Sequence, residues 1–310
     1  FSPYSPSTRH FLNVLYIAVP DVPEFAECVE ARQRVAAPEF ERELARLRAT
    51  EHVDYPGVAR AKLPVLQVLF EQFWRRHLGR GTARGRAFDD YCRERGEPLR
   101  RHALHDAIDA HLRGQDPDRY WGWPVWPAEL RDPAHQAVRD FEERHRAAVE
   151  FHQWLQWIAD EQLAAAQQLA RDLGMPIGLY GDYAVGVNPS GSETWSDQLV
   201  YRMGAGVGAP PDALALKGQD WGIPPQDPHA LIAESYRPFS NLVAANMRHF
   251  GALRLDHVMA LFRQWWVPVG LGATDGGYVH YPLDDLMSVL ALESARHRCL
   301  VVGEDLGTVP

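Results

Sequence analysis

Two acids in this sequence stand out for the residues that accompany them. Arg254 and Asp256 close the run Ala252-Leu253-Arg254-Leu255-Asp256, and Glu304 closes Cys299-Leu300-Val301-Val302-Gly303-Glu304. On a strand, residues i and i+2 point to the same side, so Arg254 and Asp256 face one way while Leu253 and Leu255 face the other. A guanidinium beside a carboxylate favours the ionised acid, the form a glycosidic nucleophile needs. Such a pair alone is more often a salt bridge at a strand end. Glu304 alters that weighing. It ends a second run of the same design, and neighbouring strands lie about 4.8 Å apart, so the two carboxyl groups can approach the roughly 5–5.5 Å used by retaining glycosidases. The apolar residues leading into Glu304 predict apolar walls, the setting that keeps a general acid protonated. The competing structural role for such acids is helix capping, with Asp305 as the cap.

The segment from Val187 to Pro225 reads as a long loop without secondary structure, and insertions of that length are usually functional. Within it, Gly218-Gln219-Asp220-Trp221-Gly222 puts a flat indole beside amide donors, which suits the C–H faces and hydroxyl edges of a sugar. An isolated tryptophan is more commonly a packing anchor. Gly204-x-Gly206-x-x-Ala209 matches the loosest dinucleotide fingerprint, but Pro210-Pro211 stands where the phosphate-binding helix would run, which excludes it. No serine nucleophile elbow and no phosphate-binding loop occurs. His102, His105 and His111, with Asp106, have helical spacing but no zinc signature, and read as a solvated helix face. Trp265-Trp266 after Phe262 reads as packing at a strand–helix junction.

These residues need elements to hold them. Ile177–Asp182, Ala252–Asp256 and Cys299–Glu304 are short apolar runs ending in acids, with helices near Pro238–Phe250 and Leu283–His297 before the second and third. That is the signature of a parallel sheet, and the C-terminal ends of such strands carry the catalytic groups of (β/α) barrels. Three strands of this kind are legible; a closed barrel has eight. Residues 25–173 are instead helical and charged: Phe151, Trp154, Leu155 and Ile158 fall on one face of a helix that stops at Gly174, and further helices lie around Phe40–Arg48, Leu63–His77 and Arg100–Arg113. Between them runs the aromatic stretch Tyr120-Trp121-Gly122-Trp123-Pro124-Val125-Trp126-Pro127.

The 310 residues are 46% hydrophobic and 24% charged, proportions that exclude disorder and fibrous folds. A formal net charge of −9 argues against an electrostatic binder of nucleic acid or a membrane surface. The chain shows no membrane-length apolar run and no signal-peptide pattern. Cys28, Cys92 and Cys299 form neither a disulfide framework nor a metal knuckle, which favours a reducing, cytoplasmic setting. Ten tryptophans are many for this length, and the first residue is Phe1, not methionine.

Across Ser2-Pro3-Tyr4-Ser5-Pro6-Ser7, Gly178-Leu179-Tyr180-Gly181-Asp182-Tyr183-Ala184-Val185-Gly186-Val187, Gly208-Ala209-Pro210-Pro211-Asp212, Gly218-Gln219-Asp220-Trp221-Gly222, Ala252-Leu253-Arg254-Leu255-Asp256-His257-Val258 and Gly303-Glu304-Asp305-Leu306-Gly307-Thr308-Val309-Pro310, the sequence resembles the 4-α-glucanotransferases called amylomaltase or disproportionating enzyme, in the α-amylase superfamily. The helical segment resembles the longer bacterial type. The resemblance implies an α/β chain: an incomplete (β/α)8 TIM barrel in 1–24 and 174–310 with a large helical insertion in 25–173. It implies Asp256 as nucleophile, Glu304 as general acid/base, and Arg254 as the residue that orients and ionises Asp256. His257 would touch the sugar at the cleavage point if the strand ends at Asp256, Asp182 would bind donor hydroxyls, Trp221 and Asp212 would cover the substrate, and Tyr4 would lie on the acceptor side. The expected ligands are maltooligosaccharides or other α-1,4-glucans, with no metal, cofactor, nucleic acid or membrane partner. Members of the family carry a third acid, an Asp after a His on a later strand. The sequence ends at Pro310, inside the fifth-strand motif and before that residue could occur, and starts at Phe1 within the loop after the first strand, so the resemblance implies a fragment lacking both ends. An α-glucan hydrolase and a catalytically inactive glucan-binding protein are the alternatives.

Overall fold

In the computed structural model, which describes residues 4–213 and 215–306, the chain divides into two compact units. Ser2-Pro3 and the 307–310 end of the last motif lie outside the described residues.

The first unit, residues 12–111 and 136–163, is helical. It draws on α1 (Val29–Val35), α2 (Pro38–Arg48), α3 (Tyr55–Arg76), α4 (Ala83–Gln115), then, past the short α5 (Ala128–Arg131), α6 (Gln136–Arg144) and α7 (Arg146–Asp172). Phe151, Trp154, Leu155 and Ile158 are buried, as their spacing on α7 predicts; Phe70 and Phe73 meet Trp154, and Phe73 and Phe88 meet Trp157. The unit begins before residue 25, for a physical reason. Gln156 on α7 donates to the Leu12 carbonyl (2.9 Å) and accepts from its N–H (3.0 Å), while Lys62 on α3 donates to the carbonyls of Leu15 and Ile17.

Of the histidine face expected to be solvated, His111 is exposed but His102 and His105 are not. His102 and His105 are 5% and 4% exposed. Gln156 Nε2 lies 3.2 Å from His102 Nε2, and His105 Nδ1 lies 2.9 Å from Asp106 Oδ1. The helix turns this face to the unit's interior because α7 packs across it.

The second unit, residues 1–11, 112–135 and 164–310, carries the strands. The aromatic stretch belongs here: Trp123 Nε1 donates to Thr194 Oγ1 (3.0 Å), and buried Trp126 meets Trp195 edge to face. At the end of α7, Gly174 N–H donates to Arg171 and Met175 N–H to Ala170, a Schellman cap. Then follow β1 (Tyr180–Tyr183), α8 (Ser192–Ser196), β2 (Ala205–Ala209), β3 (Gln219–Ile223), α9 (Pro228–Ala233), α10 (Arg237–Met247), β4 (Ala252–Leu255), β5 (Arg263–Pro268), β6 (Gly277–His280), α11 (Leu283–His297) and β7 (Leu300–Gly303).

β1, β4 and β7 are the expected parallel strands, in that spatial order, with Asp182 opposite Arg254 and Arg254 opposite Val302. Leu253 and Leu255 pack inward on α10 and α11 residues, among them Val243, Met247, Leu286 and Leu290. Alignment is set where the strands begin. Gly251 N–H donates to Leu179 and its carbonyl accepts from Leu300, while a Cβ at Gly251 would sit 1.7 Å from the Ile177 carbonyl oxygen. Only glycine allows the three chains to close there.

The segment 187–225 is not a structureless loop. It contributes α8, β2 and β3, and the two strands join β5 and β6 in an antiparallel sheet of order β3-β2-β5-β6. Trp265 and Trp266 likewise lie within β5 rather than at a strand–helix junction; Trp265 meets Tyr278 of β6 edge to face. Among the described residues, the fold is an α/β arrangement with one three-stranded parallel and one four-stranded antiparallel sheet.

Candidate active site

The carboxylates gather at the finishing end of the parallel sheet because its ladder continues one residue past each strand. Asp256 N–H donates to the Tyr183 carbonyl (3.0 Å), Glu304 N–H to Leu255 (3.0 Å), and Val258 N–H to Glu304 (2.9 Å). Both acids are thereby fixed through their own main chains.

Arg254 stands between the acids. Its Nη1 donates to Asp182 Oδ1 at 2.7 Å and its Nη2 to Asp256 Oδ1 at 2.8 Å. The same Nη2 is 3.9 Å from Glu304 Oε2. The Asp256 and Glu304 oxygens that share this nitrogen are therefore no more than about 7 Å apart, which admits the spacing of a carboxylate pair working on one glycosidic bond. The rigid guanidinium fork suits this sharing; a point-like ammonium does not.

The environment of Glu304 differs from the expected one. Leu300 and Val302 are exposed, so among the described residues these two build no apolar wall. Glu304 instead accepts the N–H of His257 at 3.0 Å and of Leu306 at 2.5 Å, and only 16% of its side chain is exposed.

His257 departs from strand geometry. β4 ends at Leu255, and His257 takes φ 52° and ψ 60°, a left-handed conformation uncommon for a non-glycine residue. That turn removes the conflict with simple alternation and brings the ring edge to face with Trp221, 5.3 Å between centroids and perpendicular. Burial pushes the imidazole below the usual histidine value, with Glu304 and Asp256 pulling the other way. At neutral pH the ring is uncharged and offers one donor and one acceptor.

Trp221 reaches this position through an irregularity. The β2–β3 register shifts between Val207 and Gly208, a bulge of the kind that re-aims a side chain beside a site. Its indole N–H donates to Gln219 Oε1 at 2.9 Å, which fixes the ring plane.

Six of the eight expected residues thus form one cluster: Asp182, Trp221, Arg254, Asp256, His257 and Glu304. Tyr4 is 77% exposed, and Asp212 Oδ1 accepts the Ala215 N–H in its own turn. Sequence reasoning missed Arg9 and Glu193, a buried ion pair (2.9 Å) beside Tyr183 whose partners lie far apart in the chain. Among the described residues, no group of three His, Cys, Asp or Glu side chains is arranged to hold a metal, and no helix is long and apolar enough to cross a membrane.

The chain is 42% identical over 311 residues to the 4-alpha-glucanotransferase of Haemophilus influenzae, covering 100% of this chain and 44% of that protein. It is 39% identical over 314 residues to the 4-alpha-glucanotransferase of Mycobacterium tuberculosis, covering 99% and 40%. It superposes on amylomaltase from Corynebacterium glutamicum with a TM-score of 0.82 and 35% identity, covering 100% of this chain and 40% of that one. An amylomaltase from Streptococcus agalactiae in complex with acarbose, 18% identical over 100% of this chain and 59% of its own, shares the fold at a TM-score of 0.79. The chain spans less than half the length of the curated relatives it is compared with here. A model of the 4-alpha-glucanotransferase family matches residues 1–310, and the chain belongs to that family.

Proposed function

We propose that the protein moves α-1,4-glucan segments between maltooligosaccharides by a retaining double displacement. The observation that carries this reading is the shared Arg254: one guanidinium holds Asp182 and Asp256 and approaches Glu304, at adjacent strand ends. Asp256 attacks the anomeric carbon as Glu304 protonates the departing oxygen. Glu304 then deprotonates the 4-hydroxyl of an incoming glucan, which displaces Asp256 and restores the linkage. Asp182 binds donor hydroxyls, neutral His257 hydrogen-bonds the sugar at the cleavage point, and Trp221 covers the bond and keeps water out, which lets transfer outrun hydrolysis. Tyr4 and Asp212 contribute on the acceptor side and in the covering segment. The parallel sheet is part of a (β/α) barrel that bears catalysis, and the helical unit is an insertion in it.

The test is incubation of the full-length protein with maltotriose. Glucose together with maltotetraose and longer products is expected. Glucose and maltose alone would mean a hydrolase. Binding without turnover, undiminished by Asp256→Asn, would mean a binding protein. In the active protein, Asp256→Ala and Glu304→Ala each lower kcat by several orders of magnitude while the fold is kept.

A further inference from the structure

We propose that Arg9 is a positioning residue for the nucleophile, a role that rests on the transfer reading above. Its guanidinium is buried and grips two things at once. On one side, Nε and Nη2 donate to Glu193 Oε1 (3.3 and 2.9 Å), and Nη2 also to the Tyr201 hydroxyl (2.8 Å). On the other, Nη1 faces the Tyr183 hydroxyl (3.4 Å) and the carbonyls of Ala184 (3.2 Å) and Val185 (3.1 Å). The main chain of Arg9 is also held: its N–H donates to Glu193 Oε2 (2.6 Å) and its carbonyl accepts from Asn246 Nδ2 (2.9 Å).

The gripped segment follows β1 directly, and the carbonyl of Tyr183 is the acceptor for the Asp256 N–H. The carbonyls that Arg9 holds therefore belong to the two residues that directly follow the one fixing the nucleophile's backbone. Between the two lies a cavity of about 50 Å³ lined by Arg9, Tyr183, Gln226, Asp256, His257 and Tyr281. With the grip gone, Tyr183–Val185 and the Asp256–His257 turn have room to shift. A buried ion pair is a weak source of stability, because desolvating two charges offsets their attraction. What a fixed fork supplies, and an apolar pair does not, is direction.

The test uses the full-length protein, maltotriose and steady-state kinetics well below the melting temperature. Arg9→Lys keeps the charge but loses the fork. We expect kcat to fall about 10- to 100-fold with KM changed less than about twofold, because a small misplacement of a reacting group costs turnover rather than affinity. Arg9→Gln with Glu193→Gln leaves no unpaired buried charge, so it tests the same point even if Arg9→Lys does not fold; the same drop in kcat is expected. Tyr201→Phe removes a partner of the ion pair without touching Tyr183–Val185, and should lower the melting temperature while kcat stays unchanged. Wild-type kcat in the double variant, or an equal loss of kcat in Tyr201→Phe, would overturn the positioning role. Failure of the wild-type protein to convert maltotriose would instead overturn the transfer reading.

Discussion

Arg254 does what no other cation in the cluster does: it satisfies Asp182 and Asp256 with separate nitrogens and still approaches Glu304. Arg254→Lys keeps the charge but offers a single ammonium, which cannot lie within 3 Å of both aspartates in the same directions. One charge-assisted hydrogen bond is lost, about 1.5–3 kcal/mol, so kcat/KM on maltotriose should fall roughly 10- to 100-fold. The melting temperature should hardly move, because this triad is partly solvated and exposed ion pairs contribute little to stability. A variant with normal kcat/KM would show that Arg254 serves only the strand end. That Arg254 and Asp256 share one side of the sheet was legible in the sequence, because period-two spacing fixes which side each residue faces. The surroundings of Glu304 were not, since they depend on two backbone donors, one in a turn after a different strand.

The elements divide in the same way. β4 and β7 could be read because each is an apolar run with an acid just past its end, and β1, which runs through Asp182 to Tyr183, because an apolar run leads into that acid. The antiparallel sheet could not. β2 reads Ala-Gly-Val-Gly-Ala and β3 reads Gln-Asp-Trp-Gly-Ile, which lack the alternation that marks a strand and look like loop. Gly208 is there for close approach: a Cβ on it would lie 1.9 Å from the Gln219 carbonyl oxygen. Arg9 was illegible for another reason, its partner Glu193 being 184 residues away. Two variants separate the sheet's roles. Trp221→Ala, on the outer strand, should raise KM for maltotriose about tenfold, the scale of one lost stacking contact, and leave the melting temperature unchanged. Gly208→Ala should raise KM as well and also cost about 1–3 kcal/mol of stability through overpacking, read by denaturant unfolding. Equal stability of the two variants would mean that β2 and β3 pair more loosely than their geometry implies.

At the scale of the whole molecule, the helical unit contains an ionisable cluster within its core. Burial pushes His152 below its ordinary 6.5. At Asp106, burial pushes the carboxyl up, but His102 and His105 outweigh it and hold the acid well below the usual range. Both groups take up protons more readily in the unfolded chain, so stability rises with pH and is lost on acidification. The loss begins as pH falls through about 6.5, where unfolded His152 protonates, and continues below about 4 at Asp106. Helical circular dichroism should therefore melt at lower temperature at pH 5 than at pH 7, and His152→Gln should flatten the upper part of that decline; a pH-independent melt would refute it. The main-chain closure at Gly251 has a further consequence. Because β1, β4 and β7 are brought into line at their starting ends by backbone groups alone, side chains at the finishing ends can be exchanged without sliding one strand against another. Lineages carrying this sheet can explore new chemistry at one rim while the other rim keeps their ancestral frame.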